Sequence, residues 1–143
     1  MSERPSAAAK AERPEQALSD ERDLSHEQAP LHRQNLARLA IEYWRLLKFA
    51  ERALGGVPTQ IRPAWSAQLR YSTQRLSAIL ADSGLRAIGY EGQDFEPNLP
   101  VTVVNAEDAA GFPNPAVERT LEPTITAAGE ILALGKVALF DRR

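Results

Sequence analysis

The sequence predicts an α+β protein in three parts. These are a disordered N-terminal tail over residues 1–30, an antiparallel helical hairpin over 31–88 forming half of a dimeric four-helix bundle, and a small, mostly β unit over 89–143. Three observations carry this reading. Proline, alanine, glutamate and glutamine fill the first thirty residues with few large apolar side chains, too few to repay the entropy of ordering them. Helical apolar spacing begins immediately after Pro30. Beyond Gly84, short runs of Val, Ile, Leu and Thr alternate with clusters of Pro, Gly and Asn, the signature of short strands and turns. Charge divides the chain at nearly the same places: Lys and Arg against Asp and Glu number four and seven over 1–30, nine and three over 31–88, and four and nine over 89–143. A basic centre between acidic flanks leaves room for an acidic partner at the middle segment.

The tail contains Pro5, Pro14 and Pro30; Leu18 and Leu24 permit only a transient helix between Glu15 and Gln28. From Leu31 to Leu54 the apolar positions Leu36, Ala40, Tyr43, Leu47, Ala50 and Leu54 step by four and three residues and form one stripe, widened by Leu39, Leu46 and Phe49. The helix should span about 35 Å and stop at Gly55-Gly56, since glycine accepts the left-handed conformation that ends helices. After a connector holding Pro58 and Pro63, a second helix is expected from Ala64 with Trp65, Leu69, Ser72, Leu76, Ile79 and Leu80 on one face, ending at Ser83-Gly84. A short loop folds the two helices back on each other. So small a hairpin leaves two broad apolar faces unburied, and a second copy packed about a two-fold axis would cover them. Leu36, Ala40, Tyr43, Leu47, Ala50, Leu54, Trp65, Leu69, Leu76 and Leu80 are then the expected dimer contacts. The alternative is a monomer whose C-terminal half covers the hairpin.

In the last segment LPVTVVN, AVERTLE and ILALGKVALF read as strands, and residues 124–132 read as a hairpin turning near Ala128-Gly129, where positive φ is needed. About 55 residues make a compact unit of this kind.

The chemistry of catalysis is missing from the pattern. There is no GxxxxGK[ST], GxGxxG or GxSxG, and Ser66, Ser72 and Ser77 lie in no nucleophile turn. Glu107-Asp108 reads as a solvated turn. His26 and His32, six residues apart across Pro30, share no face that would hold a metal. No cysteine is present, which excludes a disulfide framework and a thiolate zinc site and suits a reducing compartment. No apolar run reaches the roughly 18 to 20 residues of a membrane span, and no charged start leads into a signal core. A cytoplasmic, non-enzymatic protein without cofactor or metal is expected. The hairpin arginines invite comparison with nucleic-acid binders, but no recognisable motif accompanies them and the acidic flanks oppose phosphate.

The run LLKFAERALGG, a second helix about ten residues later, its stop at Gly84-Leu85-Arg86-Ala87-Ile88, then FEPN and a final GEILALGKVAL together resemble the GrpE family of nucleotide exchange factors for DnaK-type chaperones. That family has LLPxxDNLERAL, a helix ending in GVExI, FDPN, and a hairpin of the form LQKGYxLNGRxxRPAKVxV. The resemblance covers about residues 40–140, and LEPTITAAGEILALGKVAL aligns with the hairpin without a gap. It implies a homodimer whose β unit binds the ATPase domain of a DnaK-like protein and favours its open cleft, so that ADP leaves. Arg52, Phe95, Leu121, Glu130 and Leu139 fall where family members meet that partner. The segment GLRAIGYEGQDFEPN is the joint between bundle and β unit, with Ile88 packed at the junction.

The chain also departs from the family. Glu130 stands where arginine is usual, Pro100 replaces a common histidine, and Ala133-Leu134-Gly135 replaces Arg-Pro-Ala. Pro14 and Pro30 leave no room for the long paired helix that precedes the bundle in family members. Two functions accommodate these departures: a shortened exchange factor devoted to a diverged DnaK-like ATPase, or an adaptor or scaffold that keeps the fold without exchange activity.

Overall fold

The computed structural model describes residues 14–143, with side chains from residue 28 onward. Its N-terminal half is helical and its C-terminal half forms two small sheets, so the α+β class holds. Helix α1 spans Pro14–Ala53, and the compact unit described below begins at Asn35.

The boundary expected at Pro30 needs correction. Residues 1–13 lie outside the described residues, and from Pro14 the backbone is already helical, with Pro30 inside the helix. Pro14 is tolerated because the first helical position has no intrahelical use for an N–H. Pro30 forfeits one backbone bond and crowds the preceding turn, at about 3 kcal/mol. Alanine, leucine, glutamate and glutamine around it are strong helix formers and carry the helix through.

Gly55 and Gly56 do end α1, but by tightening into a 3₁₀ turn over Leu54–Gly56 and without positive φ. The Arg62 guanidinium closes the connector by donating Nη2 to the carbonyls of Val57 (2.7 Å) and Gly55 (3.3 Å). Helix α2 spans Arg62–Asp82 with Pro63 in its first turn, where proline is pre-organised for helix. It stops as expected: Gly84 takes φ +75, and the Ser83 and Gly84 amides donate to Leu80 and Ala81 carbonyls at 3.0 Å.

The next four residues are a strand, β1 (Leu85–Ile88). The boundary placed at residue 88 therefore falls inside the β half. Leu85 needs burial and finds it through antiparallel pairing of β1 with β4 (Thr124–Ala127), whose other neighbour is β5 (Glu130–Ala133). Between β4 and β5 the chain turns at Ala128 (φ 51) and Gly129 (φ 83), the paired positive φ of a tight hairpin turn. The second sheet has the order β2 (Val101–Val103), β6 (Gly135–Asp141), β3 (Pro115–Glu122); β2 runs parallel to β6 and β3 antiparallel to it. Glu107 and Asp108 lie in a one-turn helix, α3 (Ala106–Ala109). Where β2 ends, the Asn105 side chain continues the ladder, its Nδ2 donating to the Leu139 carbonyl (2.8 Å) and its Oδ1 accepting from the Leu139 amide (2.9 Å).

Two cores result. Ala37 and Ala40 of α1 and Leu80 of α2 pack with Leu85, Ile125 and Ala127 of the first sheet. Tyr90, Val117, Val137 and Leu139 fill the second core, with Ile88 and Phe95 against it. One buried hydroxyl links distant segments: Thr124 Oγ1 accepts from the Tyr90 hydroxyl (2.8 Å) and the Gly135 amide (3.2 Å) and donates to the Pro100 carbonyl (2.8 Å). Every bonding site of that hydroxyl is used.

Candidate functional site

Helix α1 turns its Arg45, Lys48, Phe49 and Arg52 toward Arg119 and Leu121 of β3 across a cleft of about 430 Å³. The helical spacing of 45, 48, 49 and 52 places these four on one face. On β3 both Arg119 and Leu121 border the cleft, and irregular registers between Val117 and Arg119 and between Thr120 and Glu122 re-aim this part of the strand. Leu46 adds to the apolar lining and Glu42 to its polar edge.

Ion pairs fix part of the rim. Arg45 Nη1 lies 3.2 Å from Glu42 Oε1 and 4.0 Å from Glu122 Oε2, and Lys136 Nζ lies 3.5 Å from the same Glu122 oxygen. Lys48 pairs with Glu51 at 3.3 Å and stands over the Trp44 ring, 5.2 Å from its centroid. Glu122, the most enclosed of these acids, ties α1 to β6. By contrast, Arg52 and Arg119 make no ion pair or side-chain hydrogen bond among the described residues. The cleft thus offers two uncompensated guanidiniums beside an apolar floor of Leu46, Phe49 and Leu121.

Of the five positions expected to meet a partner, Arg52 and Leu121 come together here. Glu130 is exposed and sits apart, opening β5 at the outer edge of the first sheet, with Ile131 and Leu134 exposed nearby. Phe95 and Leu139 lie apart from this cleft and together line a separate small surface pocket with Val103, Ala106 and Pro115. Leu139 is 5% exposed and Phe95 is half-buried in the same core, because both belong to segments that close the second sheet: Phe95 N–H donates to the Pro115 carbonyl (2.9 Å) and Leu139 lies in the central strand. Sequence reasoning missed Arg119. Its signal was the i, i+2 spacing with Leu121 in AVERTLE.

The expected dimer stripe also divides. Ala40, Leu47 and Leu80 are buried inside this chain, and Leu36, Ala50, Leu54, Leu69 and Leu76 are half-buried, whereas Tyr43 and Trp65 are exposed. The first sheet covers one side of the helices, as the monomeric alternative required, and nothing in the second unit covers the other. There Leu39 (65% exposed), Leu46 (62%), Phe49 (63%) and Trp65 (54%) stand in solvent. Two apolar grooves lie between α1 and α2, one of about 470 Å³ at Ala50, Ala53, Trp65 and Leu69 and one of about 260 Å³ at Leu36, Tyr43, Leu76 and Ile79.

Among the described residues there is no group of three or more His, Cys, Asp or Glu able to hold a metal ion, and no helix is long and apolar enough to cross a membrane. His32 is exposed on α1, and the side chain of His26 lies outside the described residues. In comparisons with known proteins, neither a protein-family model nor a curated protein matches this chain.

Proposed function

We propose that this protein is a GrpE-like nucleotide exchange factor: a cytoplasmic co-chaperone that binds the ATPase domain of a DnaK-like protein and speeds ADP release by favouring its open cleft. The observation that carries the reading is the meeting of Arg52 and Leu121, two positions the family resemblance singles out from distant parts of the sequence, in one exposed cleft. A helical hairpin that hands over to two small sheets at Gly84 supports it. No catalytic residue is required. A factor that binds the open ATPase more tightly than the closed one shifts the population by that ratio, and coupling of 1–3 kcal/mol gives about 5–150-fold.

In this reading the exposed side of the hairpin is the dimer interface. An apolar face of this kind, grooved between two helices, suits the paired helices of a second copy and completes a four-helix bundle.

Stopped-flow release of fluorescent ADP from a panel of DnaK-type ATPase domains tests the function. Acceleration is expected with at least one domain; neither binding nor acceleration across the panel would sink the proposal. Binding without acceleration would support the adaptor reading.

A further inference from the structure

The guanidiniums of Arg52 and Arg119 approach one cleft from different elements, and neither has a carboxylate within the described residues. Elsewhere around the cleft charge is compensated: Arg45 and Lys136 share Glu122, and Lys48 has Glu51. Two like charges brought to one concave surface raise its potential and favour an anion there. The floor between them is apolar, built by Leu46, Phe49 and Leu121. A phosphate backbone would satisfy the arginines and leave that floor wet; a peptide carrying a carboxylate beside an aliphatic side chain satisfies both.

We infer that the cleft holds an acidic–aliphatic segment of the partner protein, its carboxylate shared by Arg52 and Arg119 and its aliphatic side chain seated on Leu121 and Phe49. The inference rests on the exchange-factor reading only for the identity of that partner, a DnaK-like ATPase domain. Arg119 becomes a specificity residue: a guanidinium grips a carboxylate through two parallel N–H bonds, which lysine cannot reproduce.

The test uses the full chain and two probes. The first is a fluorescein-labelled nonapeptide of alternating glutamate and leucine, with glutamine–leucine and glutamate–serine peptides and oligothymidylate as comparators, read by anisotropy. The glutamate–leucine peptide should bind best, weaken as salt rises from about 50 to 300 mM, and lose at least tenfold in affinity with the R52E/R119E double variant; R119K should fall between. Equal binding of the glutamine–leucine peptide, preference for oligothymidylate, or no loss with the double variant would overturn the inference, as would absence of peptide binding at millimolar concentration. The second probe is the ATPase-domain panel. If a domain binds the wild-type chain and R52E/R119E equally, the cleft inference fails and the exchange-factor reading stands. If no domain binds while the peptide result holds, the reverse is true. Circular dichroism establishes that the variants, altered only at exposed positions, remain folded.

Discussion

Replacing Thr124 by valine keeps the side-chain shape and deletes one hydroxyl, and the structure allows its cost to be worked out bond by bond. Thr124 is fully buried and Tyr90 is 5% exposed. The lost hydroxyl served three bonds, to Tyr90 Oη, Gly135 N and Pro100 O. Gly135 N also lies 3.1 Å from Pro100 O, so both of those backbone groups keep a partner. The Tyr90 hydroxyl does not. Two good hydrogen bonds contribute about 1 kcal/mol each, and an orphaned buried hydroxyl costs about 1–3 kcal/mol, so T124V should destabilise by about 3–5 kcal/mol. Y90F removes one bond and leaves the Thr124 hydroxyl donating to Pro100 and accepting from Gly135, at about 1 kcal/mol. In the double variant the orphan is gone, so its cost should fall below that of T124V alone, to about 2 kcal/mol for the lost bonds. The coupling should therefore be at least about 1 kcal/mol, beyond the ~0.3–0.5 kcal/mol scatter of independent sites. Urea unfolding followed by tryptophan fluorescence at fixed protein concentration measures all four corners of the cycle, with an unchanged slope required for the comparison. Simple additivity would refute the view that these hydroxyls form one buried unit joining the sheets.

Further outcomes are expected elsewhere. A Cβ at Gly135 would come within 2.8 Å of Thr124 Oγ1, 2.9 Å of the Glu122 carbonyl and 3.0 Å of the Thr124 amide. Two of these are backbone atoms that cannot swing aside, so G135A should cost about 2–3 kcal/mol, whereas G111A, with nothing within 4 Å, should stay within about 0.5 kcal/mol by the same urea assay. For the dimer, light scattering at tens of micromolar should give twice the 15.7 kDa chain mass, and L39E, a change at an exposed position outside the cleft, should give the monomer with undiminished helicity. A wild-type monomer would remove the four-helix bundle from the proposal.

The sequence by itself determined the hairpin helices beyond Pro30 and most of the later strands, because these depend on local chemistry. Four-and-three spacing specified the helix faces. Gly84 and Ala128-Gly129 supplied the backbone freedom their turns use. What lay beyond local chemistry was misjudged in predictable ways. Pro14 and Pro30 read as breaks, yet helix formers on either side carry α1 past Pro30. Leu85–Ile88 read as the end of the hairpin, and became a strand only because Thr124–Ala127 is there to pair with it.

The site shows the same division. Helical spacing defined which face Arg52 occupies, but its meeting with Leu121 and Arg119 depends on how β3 packs near α1, a contact between residues far apart in the chain. Phe95 and Leu139 have the apolar character of partner contacts, and composition cannot distinguish an apolar side chain meant for a partner from one meant for the core. Only the tertiary structure, by burying Leu139 in the central strand of the second sheet, leaving Phe95 half-buried beside it and leaving Leu39, Leu46, Phe49 and Trp65 uncovered, decided which hydrophobic surface the chain buries in itself and which it leaves exposed.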